Sequence, residues 1–129
     1  MTCVVDTHAL VWYLGGSRLL GRKAHAELRK PASRVVVPTI VLAELKYLHH
    51  RKRIDLSFDT VRRVLGDDPR CILHPLDEDV LDLLPLKLDI HDGIICATAL
   101  AIERATGETV KVITRDEEIT ESELVDVLW

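Results

Sequence analysis

The sequence predicts an α/β fold of three layers, α/β/α, built on a central, mostly parallel sheet of four to five strands. Short β-branched runs of strand length alternate along the chain with stretches of helical period. Strands separated by helices imply right-handed parallel crossovers and a sheet covered on both faces. The 129 residues are 47% hydrophobic, enough for one core, and no repeat, linker or low-complexity segment divides them. Residues 1–129 therefore read as one domain.

Thr2 to Val5 is a first strand, ending at Asp6, and Ala9 to Leu14 gives a helical turn or two closed by Gly15-Gly16. Arg22 to Lys30 is a polar helix ended by Pro31; Arg34 to Val37 is the second strand. Pro38-Thr39 leads into a helix from Ile40 to about His50. Ser57 and Asp59 are N-cap candidates for a helix running to Leu65, with Gly66 as its stop. Cys71 to His74 is the third strand, and Asp77 to Leu84 a helix that stops before Pro85. Asp92 to about Thr106 is the longest helix, with Gly107 placed to end it. Val110 to Ile113 is the fourth strand, and Leu124 to Leu128 a candidate fifth.

Composition excludes several classes. Disorder does not fit so apolar a chain with a net charge of only −4. No apolar run approaches the ~20 residues of a membrane span. Asp6 interrupts the N-terminal apolar stretch and no basic region precedes it, so no secretory signal is expected. Cys3, Cys71 and Cys96 are odd in number, far apart and each beside Val or Ile, as small core residues of a reducing compartment would be. A cytoplasmic protein is expected. The slight acidity argues against bulk nucleic-acid binding but not against a nuclease, whose metal site must itself be acidic.

In such folds ligands collect at the carboxyl ends of the strands. Asp6 sits at the end of the first strand, as a turn or cap residue or as a functional acid. Glu44 has Ile40, Val41, Tyr47 and Leu48 as helical neighbours, so a carboxylate there must find a partner: a metal, or an Arg or Lys from another element. Asp92 begins the longest helix, where capping and metal binding can share one carboxylate. Asp116 follows the fourth strand, while Glu117, Glu118, Glu121 and Glu123 read as a solvated acidic face. A parallel sheet can bring these four acids to one rim. About 5 Å apart, each ionised pair would cost about 3 kcal/mol at an effective dielectric near 20, a cost that a hard divalent cation removes. An all-oxygen shell suits Mg²⁺ or Mn²⁺ rather than zinc.

The segment Val4-Val5-Asp6-Thr7-His8-Ala9-Leu10-Val11-Trp12 resembles the first strand of PIN-domain ribonucleases, and most of all that of VapC-like toxins of bacterial toxin–antitoxin pairs. Ala43-Glu44-Leu45 sits where that family carries its helical glutamate. His91-Asp92-Gly93-Ile94-Ile95-Cys96-Ala97-Thr98-Ala99 and Ile113-Thr114-Arg115-Asp116-Glu117-Glu118-Ile119 are similar to its third and fourth acidic motifs, and the ending Val127-Leu128-Trp129 fits too. The resemblance implies a PIN-like fold and an Mg²⁺- or Mn²⁺-dependent endoribonuclease that hydrolyses RNA phosphodiester bonds. In it Asp6, Glu44, Asp92 and Asp116 form the catalytic, metal-binding pocket, and Thr7 and Thr114 position groups around it. It also implies a homodimer held inactive by a cognate VapB-like antitoxin, for which Ala9 to Leu14 and the Glu44 helix would offer apolar surface. One departure stands out: Gly93 occupies a position where the toxin subgroup often has arginine, a cation lost beside the third acid.

His49-His50-Arg51-Lys52-Arg53 is the one dense basic run. It suits a helix C-terminus. Its functional reading gives Arg51, Lys52 and Arg53, together with Arg115, as RNA-backbone contacts. Trp12 and Tyr13 read as packing groups or a partner contact, with base stacking as the alternative. Three rival functions remain. His8 and His91 could cleave RNA by acid–base catalysis without metal. A receiver-like Mg²⁺-binding module lacks an acid before Asp6 and a phosphorylatable aspartate after the third strand, which ends in His74-Pro75. A catalytically weakened PIN-fold binding module has only Gly93 in its favour.

Overall fold

The structure, a computed structural model, describes residues 1–129. Five strands, β1 (Thr2–Val5), β2 (Arg34–Pro38), β3 (Cys71–His74), β4 (Val110–Ile113) and β5 (Asp126–Leu128), form one sheet in the order β3-β2-β1-β4-β5. Every neighbouring pair is parallel. Helices α1 (Thr7–Leu14), α2 (Arg22–Arg29), α3 (Thr39–His50), α4 (Phe58–Asp67), α5 (Glu78–Asp82), α6 (Ile90–Thr106) and α7 (Glu117–Ser122) fill the crossovers and complete the α/β/α sandwich. The chain builds outward from β1 through β2 to β3, then returns to β1's other side with β4. The strand order therefore reverses between β1 and β4, the place where parallel sheets open a crevice at their carboxyl ends.

The core follows from the sequence pattern of a sheet covered on both faces. All four residues of β1 are buried, as are Val35, Val36 and Val37 of β2 and Val110, Val112 and Ile113 of β4. Ala24 and Leu28 of α2, Val41 and Leu45 of α3 and Ile95 and Ala99 of α6 close on this sheet. A smaller cluster, Val80, Ile94, Ala97 and Ala101, packs α5 against α6. Cys3 and Cys96 are buried and all three thiols are free. Burial pushes Cys3 and Cys96 up to about 12 and Cys71 up to about 11, which makes all three poor nucleophiles. No helix is long and apolar enough to cross a membrane.

Several boundaries differ from the sequence expectation, each for a local reason. α1 starts at Thr7 because Asp6 caps it, and α6 starts at Ile90 because Asp89, not Asp92, is its cap. Gly66 does not stop α4, which runs on through Asp67; an exposed glycine in a last turn costs only about 1 kcal/mol. α5 is five residues, shorter than Asp77 to Leu84, and Leu83 and Leu84 close it as turns. The left-handed Glu123 ends α7, so β5 begins only at Asp126. The apolar segment of α1 is not an open face: Ala9 and Leu10 are buried, and Val11 to Leu14 pack half-buried against the core. Exposed apolar side chains lie elsewhere, among them Leu81, Leu86 and Ile90, Ile72 and Leu73 on β3, and Tyr47 on the Glu44 helix.

Candidate active site

Register places the first two acids. Val5 pairs with Ile113, so Asp6 and Thr114 leave neighbouring parallel strands together. The Thr114 hydroxyl donates to one Asp6 carboxylate oxygen, and the backbone N–H of Ala9 donates to the other at 2.8 Å. Asp6 is thus both N-cap and site residue, its carboxylate held from two sides. Burial raises its carboxyl above the ordinary range, against those hydrogen bonds, which favour the ionised form. Thr114 also accepts from the N–H of Asp116 at 3.0 Å, and Asp116 caps α7 by accepting from Ile119 N–H at 3.0 Å. One hydroxyl therefore ties both strand-end acids to one rim.

Asp92 projects from the first turn of α6. Its own N–H donates to Asp89 at 3.1 Å, so Asp89 caps the helix and stands beside it. Burial first, then the negative charges of Asp116, Asp89, Glu118 and Asp6, push the Asp92 carboxyl up to about 7. The carboxylate oxygens of Asp89, Asp92 and Glu118 lie within 4.8 Å of one another. Sequence reading missed two of these. Asp89 was hidden by starting the helix two residues late, although Asp-x-x-Asp at a helix entrance is an N-cap followed by an acid at the third helical position. Glu118 looked like one of a solvated run. Only the turn of α7 away from β4 sends it toward Asp92.

Glu44 reaches the same cleft by another route. Asp6, Thr7, Glu44, Asp92 and Asp116 all line a cavity of about 380 Å³, as do His8 and His91. Glu44 makes no ion pair, so the Arg or Lys offered as the alternative to a metal is not its partner. Tyr47, one turn on, is 66% exposed, so the stripe around Glu44 is only partly covered and the carboxylate is not forced to pair within the chain. Thr7 is different. Its side chain is buried, yet its hydroxyl has no hydrogen-bond partner. A buried unpaired hydroxyl on the wall of an acidic cleft is a group that a bound ion's water shell would satisfy.

The donor set suits a hard divalent cation. The converging group of Asp89, Asp92 and Glu118 offers carboxylate oxygens only, as hard cations prefer, with His8 and His91 on the cleft walls outside it. The charges crowded around Asp92 and the unpaired Thr7 hydroxyl both fit a cation that brings its own water ligands.

The other singled-out residues lie further off. Arg51 sits over the Tyr47 ring, 5.9 Å from its centre, at one end of a shallow apolar groove that meets the cleft at Glu44 and His91. Lys52 takes a left-handed turn (φ 58°) just after α3, and neither it nor Arg53 lines the cleft. Arg115 stands next to Asp116, in a groove beside the cleft. Gly93 is buried and faces away from the acids. A Cβ there would sit 3.3 Å from the Pro85 carbonyl oxygen and 3.4 Å from Leu84. This glycine lets α6 approach the Leu84–Pro85 turn. Gly93→Arg should lower stability by about 1–3 kcal/mol through overpacking, read as a fall in Tm, without raising any activity.

The sequence pattern of the PIN domain family matches residues 3–123. No curated protein matches the chain by sequence. Among solved structures the chain is similar to one in the VapBC2 complex of Rickettsia felis bound to a DNA fragment from its promoter. That similarity has a TM-score of 0.66 at 14% identity and covers 99% of this chain and 98% of the other, a likeness of fold.

Proposed function

This chain belongs to the PIN domain family, and on that premise we propose that it is a divalent-metal-dependent endoribonuclease of the VapC-like toxin type, restrained by a VapB-like antitoxin. The observation that carries the reading is one cleft, at the switch point of the sheet, lined by Asp6, Glu44, Asp92 and Asp116. Asp6, Asp92 and Asp116 would hold the metal, with Glu44, Asp89 and Glu118 around them. A bound Mg²⁺ or Mn²⁺ supplies a nucleophilic water at neutral pH and offsets charge on the scissile phosphate.

The chain's own residues do the rest. Asp6 and Asp116 are fixed by Thr114 and by two helix N-termini, so their oxygens are already placed when substrate arrives. Asp92, which burial and then its acidic neighbours push up to about 7, would be ionised wherever it helped to hold a cation. Thr7 offers its free hydroxyl to a water in the cleft. Arg115 and, further away, Arg51 provide positive charge for the RNA backbone, with Lys52 and Arg53 at the end of α3.

The partner reading rests on the sequence resemblance and on the fold likeness to a chain of a VapBC complex. An antitoxin that brings an arginine or lysine among the carboxylates would compete with the metal for the same charge. The exposed Leu81, Leu86 and Ile90 would serve a homodimer.

Cleavage of single-stranded RNA in Mg²⁺ or Mn²⁺, followed by analysis of product ends, tests the chemistry. The expected products carry 5′-phosphate and 3′-hydroxyl ends, and EDTA stops the reaction. A 2′,3′-cyclic phosphate formed in EDTA would transfer the assignment to His8 and His91, which flank the same cleft.

A further inference from the structure

A second groove, of about 700 Å³, adjoins the acidic cleft and shares Asp6, His8 and Asp116 with it. Its other walls include both tryptophans of the chain. Trp12 comes from α1, and Trp129 is the last residue, packed against it edge-on with ring centres 5.8 Å apart. The placement of Trp129 is specific. A Cβ on Gly21 would lie 2.5 Å from both its ring and its carbonyl carbon, so only glycine there lets the C-terminus close down. Both indoles remain half-exposed rather than buried in the core. The His8 ring lies 5.4 Å from Trp12, centre to centre.

Arg115 is the informative neighbour. Asp116, Glu117 and Glu118 surround it, yet it makes no ion pair with any of them. Its guanidinium lies over the Trp12 ring, 4.4 Å from the centre. Planar cation and indole together form a stacking surface, the kind on which unpaired bases settle. An apolar protein helix suits this groove poorly, since only two of its eight lining residues are hydrophobic and four are carboxylates.

We infer that this groove is a nucleobase subsite: an unpaired base next to the cleaved bond stacks against Arg115 and the Trp12–Trp129 pair, while the strand continues into the acidic cleft. The inference rests on the ribonuclease reading and adds the surface that holds the substrate's base. Arg115 changes role accordingly, from a backbone charge to a stacking plane. Sequence preference then depends on which bases stack best and fit beside His8.

The two tryptophans are the chain's own reporters, because both line the groove. The test is a fluorescence titration of the metal-free protein with adenosine and uridine, and with ribose as the control. Saturable quenching by the nucleosides and none by ribose is expected. Arg115→Ala should weaken binding roughly tenfold, since base stacking on such a surface is worth about 1–3 kcal/mol. Arg115→Lys should do the same, because lysine keeps the charge but loses the plane. Arg115 is exposed, so both variants fold; Trp129→Leu, which keeps Trp12 as reporter, is the second test of the stack. Absence of quenching overturns the subsite, as does equal quenching by ribose or quenching unchanged in Arg115→Ala. If only a co-expressed partner protein altered the fluorescence, the groove would be a protein-docking face and the subsite would fall. The probes contain no phosphodiester bond and need no metal. A failed titration therefore leaves the ribonuclease reading standing, and an inactive protein that still bound nucleosides would overturn that reading alone.

Discussion

Asp92→Asn should abolish RNA cleavage, by roughly a hundredfold or more, while the protein stays folded. Asp92 carries the most perturbed carboxyl of the cleft, at the point where the charges of Asp116, Asp89, Glu118 and Asp6 converge. A metal in such a site contributes several kcal/mol to stabilising the charge of the transition state. Asparagine keeps the shape but supplies one fewer negative charge to hold the ion. Asp6→Asn should act alike and also weaken its hydrogen bond from Thr114, since a carboxylate is the stronger acceptor. Glu121→Gln, on the exposed side of α7, is the control that keeps full activity. Rates measured under single-turnover conditions separate loss of chemistry from slow product release. Full activity in either aspartate variant would remove the metal mechanism.

The same substitution should stabilise the metal-free protein. The folded carboxyl of Asp92 titrates at about 7, above the ordinary 3.8, so its protonated form favours folding. That contribution is fully present below about pH 3.8 and is lost as pH rises through about 7. In EDTA the wild-type protein should therefore lose stability between about pH 4 and pH 8, and Asp92→Asn should lose less. Asp92 is only partly buried, and solvent screens the repulsion, so the gain at pH 8 is about 1–2 kcal/mol, or roughly 3–8 °C in Tm. Adding Mg²⁺ or Mn²⁺ reverses the order. Wild type should gain about 2.7 kcal/mol at 100 times the dissociation constant, and the variant far less. The gain should shrink at pH 6, where protons compete with the metal for Asp92. Thermal melts at pH 6 and pH 8, with and without the ion, check all of this. A melting temperature indifferent to divalent ions would count against a preformed acidic site.

Much of the molecule was legible in the sequence because its signals are local. β-branched runs bounded by Gly, Pro and Asp marked β1 to β4 within a residue, and the alternation with helices led to the parallel sheet. Asp6 and Asp116 could be singled out because each directly follows a strand or its first turn, and strand ends are where such sheets work. Glu44 could be singled out by its apolar neighbours, and no Arg or Lys from another element pairs with it. Asp89 lay one step away, lost to a helix start placed two residues late.

What the sequence alone determined is the set of strands and helices and a short list of acids at their ends, because propensity, capping and hydrophobic period act over a few residues. Tertiary structure alone decided how those acids meet. Pairing of Val5 with Ile113 brings Asp6 and Thr114 together across more than a hundred residues, and the turn of α7 carries Glu118 to Asp92. It also turned Gly93 toward Pro85 and closed Trp129 over Gly21 against Trp12. These are contacts between distant segments, set by strand register and close packing, and no local pattern in the chain encodes their geometry.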